Sequence, residues 1–495
     1  MGIVIRQSFY NSIFSYLGVI IGFINVIFLF PAFLSEVDIG LYRAIQNASL
    51  LLLPFATFGL QASTLKFFPE AQQKESTQDQ FLGFMLVAVT FFYLIFLAFY
   101  FLFQSVIHQY FAEKAQPLID SFNLVLILVF ILSFQTVIEA YSRNLLKTIF
   151  PGFLRDFFFR FLISVSVLLF AINLISFEAL LNSLIGIYLI VLLLLLLYLY
   201  RDTNFQIRLP TTKAFGSLGK RILGYSFFIF LGFSGSTIIV NVDSIMISSM
   251  LGLAQTGIYV TAMYMGNIIE LPKRSIGQIT APLLAKAFEE KNLKEVDSLY
   301  KKVSINQSVI GTYLLLGILV NLDNIFSIMP NSEVFAAGRY VVLFIGLGKL
   351  IDMIFSFNGE IILFSHFYKF NVTATIILGV LTIATNLLLI PVYGISGAAF
   401  ASLLTLFLFN IIKFVFLKIK LNMQPFNFNT LKVIAFGLIT YYLVSIIPQL
   451  PVWIDLLIRS ILVTVIFGSL ILFFKCSEEI SNLSQGGWKQ LFKKN

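Results

Sequence analysis

A few charged residues lie inside otherwise apolar stretches of this sequence, and their placement is the first sign of chemistry. Glu270, Lys273 and Arg274 share one stretch, and Lys349, Asp352 and Glu360 share another. Asp243, Arg43 and Glu139 occupy three more. A charge surrounded by hydrocarbon is costly, so it faces a partner, a wet cavity or a ligand. Glu270 and Arg274 are four residues apart and Lys349 and Asp352 three, spacings that allow each couple to pair on its own helix face. Such pairing accounts for these residues without a ligand. Arg43 and Glu139 lie near the ends of their stretches, within reach of the interface. Asp243 is different, with no basic residue within a turn or two on its own helix. A carboxylate placed there is either protonated or holds a cation, which favours a functional role.

Other chemistry is missing from the pattern. The two histidines, His108 and His366, have no metal-ligand spacing. Cys476 is the single cysteine, which excludes an internal disulfide and a thiolate metal site. The sequence contains no Gly-rich phosphate loop and no Ser/His/Asp motif. These absences argue against a soluble-style enzyme, and no cofactor is expected.

The elements that must position the charges follow from composition. The 495 residues are 59% hydrophobic and 12% charged, with 57 phenylalanines, and the mean hydropathy is +0.93. Soluble chains are roughly 25% charged, so lipid is the main solvent here. A spanning helix needs about 20 mostly apolar residues. Such stretches occur near 8–30, 40–64, 81–104, 118–141, 157–175, 179–200 and 223–249. Others lie near 255–285, 304–324, 335–364, 370–390, 396–417, 431–449 and 452–474. The expected fold is therefore an all-α polytopic membrane protein of about fourteen transmembrane helices. The first stretch lacks a small-residue cleavage site after it and reads as a retained helix.

Charge sets the orientation. With the N-terminus in the cytoplasm, most Lys and Arg fall in inside loops. These include Arg143, Lys147, Arg155, Arg201, Arg208, Lys213, Lys220, Arg221, Lys286, Lys291, Lys294, Lys301, Lys302, Lys418, Lys420, Lys489, Lys493 and Lys494. Lys114 falls outside, with Arg339 and Arg459 near the outer boundary. The asymmetry places both termini in the cytoplasm. It also explains the net charge of +9 without a nucleic-acid partner.

An internal repeat divides the chain. Gly40-Leu41-Tyr42 opens the second stretch and Gly257-Ile258-Tyr259 the eighth. Both stretches run on to a proline, Pro69 or Pro282, and then to a charged loop. Asn25 and Asn241 occupy the middle of the first and seventh. A six-helix offset returns the chain to the same side, so the two copies are parallel and related by a pseudo-two-fold axis along the membrane normal. The expected organisation is a lobe over 1–222, a second over 223–425, and two further helices with a cytoplasmic tail over 426–495. Pro272 and Pro282 are expected to bend the eighth helix, and Asn358-Gly359-Glu360 to interrupt the tenth.

The run Asn386-Leu387-Leu388-Leu389-Ile390-Pro391-Val392-Tyr393-Gly394-Ile395-Ser396-Gly397-Ala398-Ala399-Phe400-Ala401-Ser402 resembles the helix-eleven to helix-twelve signature of polysaccharide-export flippases. These belong to the multidrug/oligosaccharidyl-lipid/polysaccharide exporter superfamily. Val242-Asp243-Ser244, Leu251-Gly252, Thr256-Gly257-Ile258-Tyr259 and Gly40-Leu41-Tyr42 with Phe58-Gly59-Leu60 are similar to other parts of the family pattern. The resemblance implies a flippase that moves polyprenyl-pyrophosphate-linked oligosaccharide to the outer leaflet of a bacterial inner membrane by alternating access. It implies a role in surface polysaccharide synthesis, such as lipopolysaccharide O-antigen, and a monomer embedded in membrane lipid. Arg43, Lys273, Arg274 and Lys349 are the expected pyrophosphate contacts, since a guanidinium fork can hold phosphate oxygens in pairs.

The resemblance also implies a coupling ion, sodium or a proton. The matching positions are Asp243, Thr382, Asn386 and Ser402, with a backbone oxygen at Ala398. Asp243, Asn386 and Ser402 are the expected sodium ligands, since oxygen ligands suit a hard cation. Only one carboxylate is present, a departure that leaves the coupling ion open. A drug/cation antiporter on the same fold and a membrane polymerase or ligase of the same pathway are the alternatives. The two extra helices count against the first, and the absence of a large outside loop against the second.

Overall fold

A computed structural model describes residues 3–73, 75–203 and 208–482. Lys489, Lys493 and Lys494 lie outside the described residues, as does the side chain of Lys213. The described chain is helical with no strand, as hydrocarbon requires of any open segment that must satisfy its own backbone polar groups. The first four helices are α1 (Tyr10–Phe33), α2 (Glu36–Thr57 with Leu60–Ala71), α3 (Gln80–Ala112) and α4 (Phe122–Asn144). Next come α5 (149–171), α6 (Phe177–Arg201), α7 (Phe215–Met250) and α8 (253–289). α9 is Leu293–Val320 and α10 is Ser332–Phe355, continued by Asn358–Phe364. The rod Lys369–Leu421 holds α11 and α12, and α13 (Phe428–Ser445) and α14 (Val452–Phe473) complete the set.

Ten of these helices are long and apolar enough to span a membrane, and the bent pair of α2 makes eleven. Fourteen is reached because three further spans are disguised. Gly394 adopts φ 60°, ψ −141° and divides the rod into two, as expected for the turn between α11 and α12. A π-turn at Leu154–Phe158 interrupts α5. A 3-10 turn at Ile268–Glu270 interrupts α8, and Pro272 starts the segment after it. Proline is tolerated in a first turn, where its missing N–H has no partner to lose.

The chain forms two compact units, Met1–Gly257 and Ile258–Asn495. In the first unit α2 packs mainly against α7 and α4. A capping box of Ser35 and Asp38 starts α2. Its bend of 42° falls at Phe58 and Gly59, both with positive φ. Phe58 pays for its left-handed backbone by stacking on Phe92 at 4.1 Å and on Phe230 at 4.9 Å. The glycines of the internal repeat touch each other. A Cβ on Gly40 would strike the Leu253 carbonyl and sit 3.2 Å from the Gly257 nitrogen. A Cβ on Gly257 would strike the Glu36 carbonyl and sit 3.1 Å from the Gly40 nitrogen. A two-fold repeat produces this kind of reciprocity. Tyr42 and Tyr259, at matching places, are both fully buried.

In the second unit α10 packs chiefly against the α11–α12 rod and against α9. The interruption in α10 is centred on Ser356, at φ 56° and ψ −134°, with the helix resuming at Asn358. A side chain other than glycine in that region costs roughly 1–3 kcal/mol and persists only where its surroundings dictate it. Arg459 is buried rather than at a loop. It pairs with Asp455 at 2.6 Å and donates to the Val444 and Ile447 carbonyls at 3.1 and 2.8 Å. Asn324 donates to the same carboxylate at 2.7 Å. This group of residues closes the end of α13.

The contact at Gly40 and Gly257 leaves no room for a side chain. Gly40→Val and Gly257→Val are each expected to lower stability by roughly 1–3 kcal/mol or more. Gly317→Ala, which meets nothing within 4 Å, should be near neutral. Thermal unfolding of the detergent-solubilised protein checks all three, and an unchanged melting temperature for Gly40→Val refutes the close contact.

Candidate functional site

The second unit gathers the charges of α8 and α10 into one ladder. Lys349 donates to Glu270 at 2.5 Å, and Lys273 donates to Asp352. Arg274 stands 4.0 Å from Glu270. The expected Glu270–Arg274 couple is present but longer than the inter-helix pair, and the expected Lys349–Asp352 couple gives way to pairs between helices. Both cross the same offset of 79 residues with opposite polarity. Asn410 of α12 donates to Asp352 at 3.2 Å, and Asn358 donates to Asn410 at 2.7 Å. The strained turn at Ser356 aims Asn358 back at this group: the Ser356 amide returns to the Asp352 carbonyl at 3.1 Å, and Ser304 of α9 holds the Ile354 carbonyl at 2.6 Å.

Exposure separates this ladder from the structural pair on α14. The side chains of Asp455 and Arg459 are 3% and 8% exposed. Those of Lys273, Asp352, Glu270 and Lys349 are 16–24% exposed, and that of Arg274 is 71% exposed. The ladder is neutralised yet open to a ligand. Lys413 on α12 adds a cation that sequence reasoning missed. It is buried, with its ammonium 3.7 Å from the Phe409 ring centroid. Gly359 makes room for it, since a Cβ there would lie 3.0 Å from the ammonium. The only signal in the sequence was a lone lysine one turn before Leu417 and Lys418.

The first unit holds the other expected residues. Arg43 is half-buried, donates to Gln46 at 2.9 Å, and lies 5.0 Å from the Phe30 ring centroid. Asp243 is buried on α7 and is engaged with its surroundings. Its neighbour Ser244 accepts from Asn47 of α2 at 2.8 Å. Glu139 is buried rather than extended to the interface. Gln135 donates to it at 2.9 Å, and Arg155 stands 3.7 Å away. Asn25 lies in a π-turn of α1, donates to the Arg160 carbonyl at 3.0 Å and accepts from Ser164 at 2.6 Å. Asn241, its counterpart in the repeat, instead bonds within its own helix, to the Thr237 carbonyl at 3.0 Å.

Of the expected coupling residues, Thr382, Asn386 and Ser402 belong to the second unit and Asp243 to the first. Thr382 and Asn386 are fully buried on α11. Thr382 donates to the Leu378 carbonyl at 2.9 Å, which leaves its oxygen able to accept. Asn386 and Ser402 are engaged with neighbouring groups. Among the described residues, no cluster of three or more His, Cys, Asp or Glu side chains is placed to hold a metal ion.

Residues 4–288, more than half of the chain, match the family model described as polysaccharide biosynthesis protein. The chain belongs to this family. The fold of this family member is similar to that of the lipid II flippase MurJ in an inward closed conformation. That likeness has 16% identity and a TM-score of 0.74, over 93% of this chain and 98% of that one. It is also similar to a multidrug resistance MATE family transporter of the MOP superfamily. The inward-facing structure gives 13% identity and a TM-score of 0.63 over 84% of this chain and 98% of that one. The outward-facing structure gives 16% and 0.58 over 85% and 95%. At these identities the likeness is one of fold. No curated protein matches the chain in sequence. Family and fold together make it a multi-pass membrane protein of a polysaccharide biosynthesis family, with a fold that flippases and multidrug transporters share.

The inter-helix ladder generates a double-mutant test. Lys273→Met leaves Asp352 without its cation and should lower the melting temperature and the folded yield. Lys273→Met with Asp352→Asn should recover much of the loss, with a coupling energy of roughly 1–3 kcal/mol. Additive effects in detergent melts would show that the two residues do not pair.

Proposed function

We propose that this protein is a flippase for polyprenyl-pyrophosphate-linked oligosaccharide. It carries the headgroup from the cytoplasmic to the outer leaflet by alternating access, for surface polysaccharide synthesis. The family match supports the pathway, and the open charge ladder of the second unit supports the cargo. A diphosphate crossing hydrocarbon needs cations that are neutralised at rest and can exchange a carboxylate for a phosphate oxygen. Lys273 and Lys349 have that property, and exposed Arg274 needs no exchange. Arg43, in the first unit, is a separate candidate cation for the headgroup. The membrane is the bacterial inner membrane, with both termini in the cytoplasm as the positive-inside pattern requires.

A strain lacking the gene should accumulate lipid-linked repeat units in the inner leaflet and lose surface glycan. Complementation with Arg274→Ala should restore surface glycan at least tenfold less well than wild type at equal protein level. Normal surface glycan in the deletion strain defeats the flippase reading.

Coupling is assigned to Asp243, which carries a proton or holds a hard cation; Thr382, Asn386 and Ser402 of the second unit are separate oxygen-donor candidates. Asp243→Asn is expected to keep the fold and remove the dependence of translocation on an ion gradient in reconstituted vesicles. Gradient-dependent translocation at the wild-type rate returns Asp243 to a structural role.

A further inference from the structure

Lys413 on α12 is 8% exposed, and its ammonium meets the Phe409 ring rather than a carboxylate. Among the described residues it makes no ion pair, whereas Lys273, Lys349 and Arg274 each face an acid. A buried ammonium with no anion at contact is costly, so its place needs a reason. The carboxylates whose charge reaches it are Asp352 and Glu360. Asp352 is held from two helices at once. Its Oδ2 accepts from Lys273 of α8, and its Oδ1 accepts from Asn410 of α12 at 3.2 Å. Asn410 and Lys413 are three residues apart, so they share a face of α12.

Other polar groups around Lys413 also lack partners. Among the described residues, the hydroxyls of Ser356 and Tyr300 and the side-chain oxygen of Asn371 are buried with no hydrogen-bond partner. A Cβ on Gly359 would lie 3.0 Å from the Lys413 ammonium and 3.8 Å from the Asn371 oxygen. The charge of Glu360 reaches Tyr300. Buried polar groups are nearly always satisfied, yet these gather about one segment, 356–360, which also contains the strained Ser356. A place whose polar partners change between states produces such a gathering.

We propose that Lys413 is a positioning residue that receives Asp352 when an anion takes Lys273. The identity of that anion, a pyrophosphate, rests on the flippase reading above. A phosphate oxygen arriving at Lys273 displaces the Asp352 carboxylate. A carboxylate released in a low-dielectric interior needs another cation. Lys349 is held by Glu270. Lys413 has no such partner, and Asn410 already draws the other oxygen of Asp352 toward its helix. Gly359 leaves the ammonium room to move. The charges then balance, with the phosphate on Lys273 and Asp352 on Lys413. No proton is transferred, and only hydrogen bonds and ion pairs are exchanged.

The test measures binding of farnesyl pyrophosphate, which carries the diphosphate and no glycan, to the full-length protein in detergent by titration calorimetry. Lys413→Met removes the charge and should weaken binding at least tenfold, while Lys413→Arg should stay within threefold of wild type. The deciding comparison is made in Asp352→Asn, where no carboxylate has to be received. In that background Lys413→Met should change binding less than twofold. If Asp352→Asn does not fold, Lys273→Met with Asp352→Asn supplies an uncharged background with the same expectation. Similar losses in both backgrounds make Lys413 a direct headgroup contact and overturn the exchange. Unchanged binding in Lys413→Met alone overturns it too, as does absence of binding by the wild type. The readout stands apart from translocation. A loss confined to the Asp352 background, with normal surface glycan in the deletion strain, sinks the flippase reading alone. Similar losses in both backgrounds, with surface glycan missing from the deletion strain, sink the exchange alone.

Discussion

Charge neutralisation between α8 and α10 is the constraint on which the second unit depends. One carboxylate and one ammonium group sit three residues apart on each helix, and the two helices pair them across the same offset. Breaking one partner of such a pair leaves a stranded charge, which is far worse than having neither. The alternation of sign also fixes register. A slip of one turn would set Glu270 toward Asp352 or Lys273 toward Lys349, and like charges at contact are repulsive. The helix interruptions lie next to these pairs: the 3-10 turn of α8 ends at Glu270, and the strained Ser356 follows Asp352 by four residues. The pairs thus specify a local backbone that propensity alone would not choose.

The first unit relies on a different physics. Lipid tails are as apolar as leucine, so burial gives little drive for helices to associate there. Close approach through small residues supplies the association instead. Gly40 and Gly257 let two helix ends touch backbone to backbone, and Gly18 does the same against the Asp156 carbonyl. Between these contacts, short polar bonds such as Asn25 with Ser164 and Ser63 with Ser226 fix orientation. Each element is small, and together they leave aromatic side chains to fill or border the remaining space.

Helix number was legible because a spanning segment is a long, nearly uniform signal. The α11–α12 junction was legible because Gly394 and the run of small residues after it have one backbone meaning. Pairing was not. Glu270 and Arg274 satisfy the spacing rule for a single helix, but Lys349 offers a shorter contact that only the register of α10 makes available. Arg459 read as a boundary cation because sequence gives depth only to within a few residues, and its partners include carbonyls of another helix. The π-turns at Asn25 and Arg155 left no trace, since a one-residue insertion in a helix does not alter an apolar run. Lys413 was invisible for the same reason: its burial depends on Phe409 beside it and Gly359 opposite.

On the proposed reading, the contrast between the two sets of ion pairs lets one chain be both stable and able to carry charge. Asp455 and Arg459 are sealed, and every donor of that guanidinium with a described bond is committed to a fixed acceptor. Such a pair closes a helix end and is shut off from its surroundings. The ladder on α8 and α10 is held by flexible lysines, whose compact ammonium groups donate in several directions. Each stays in contact with one carboxylate but is partly open. Bringing a diphosphate to an isolated buried cation would demand desolvating both at once. Bringing it to a paired lysine trades one anionic oxygen for another, so most of the desolvation is already met in the resting state. On the proposed reading, the resting ion pairs are what make the passage of a charged headgroup through a hydrocarbon-embedded protein energetically modest.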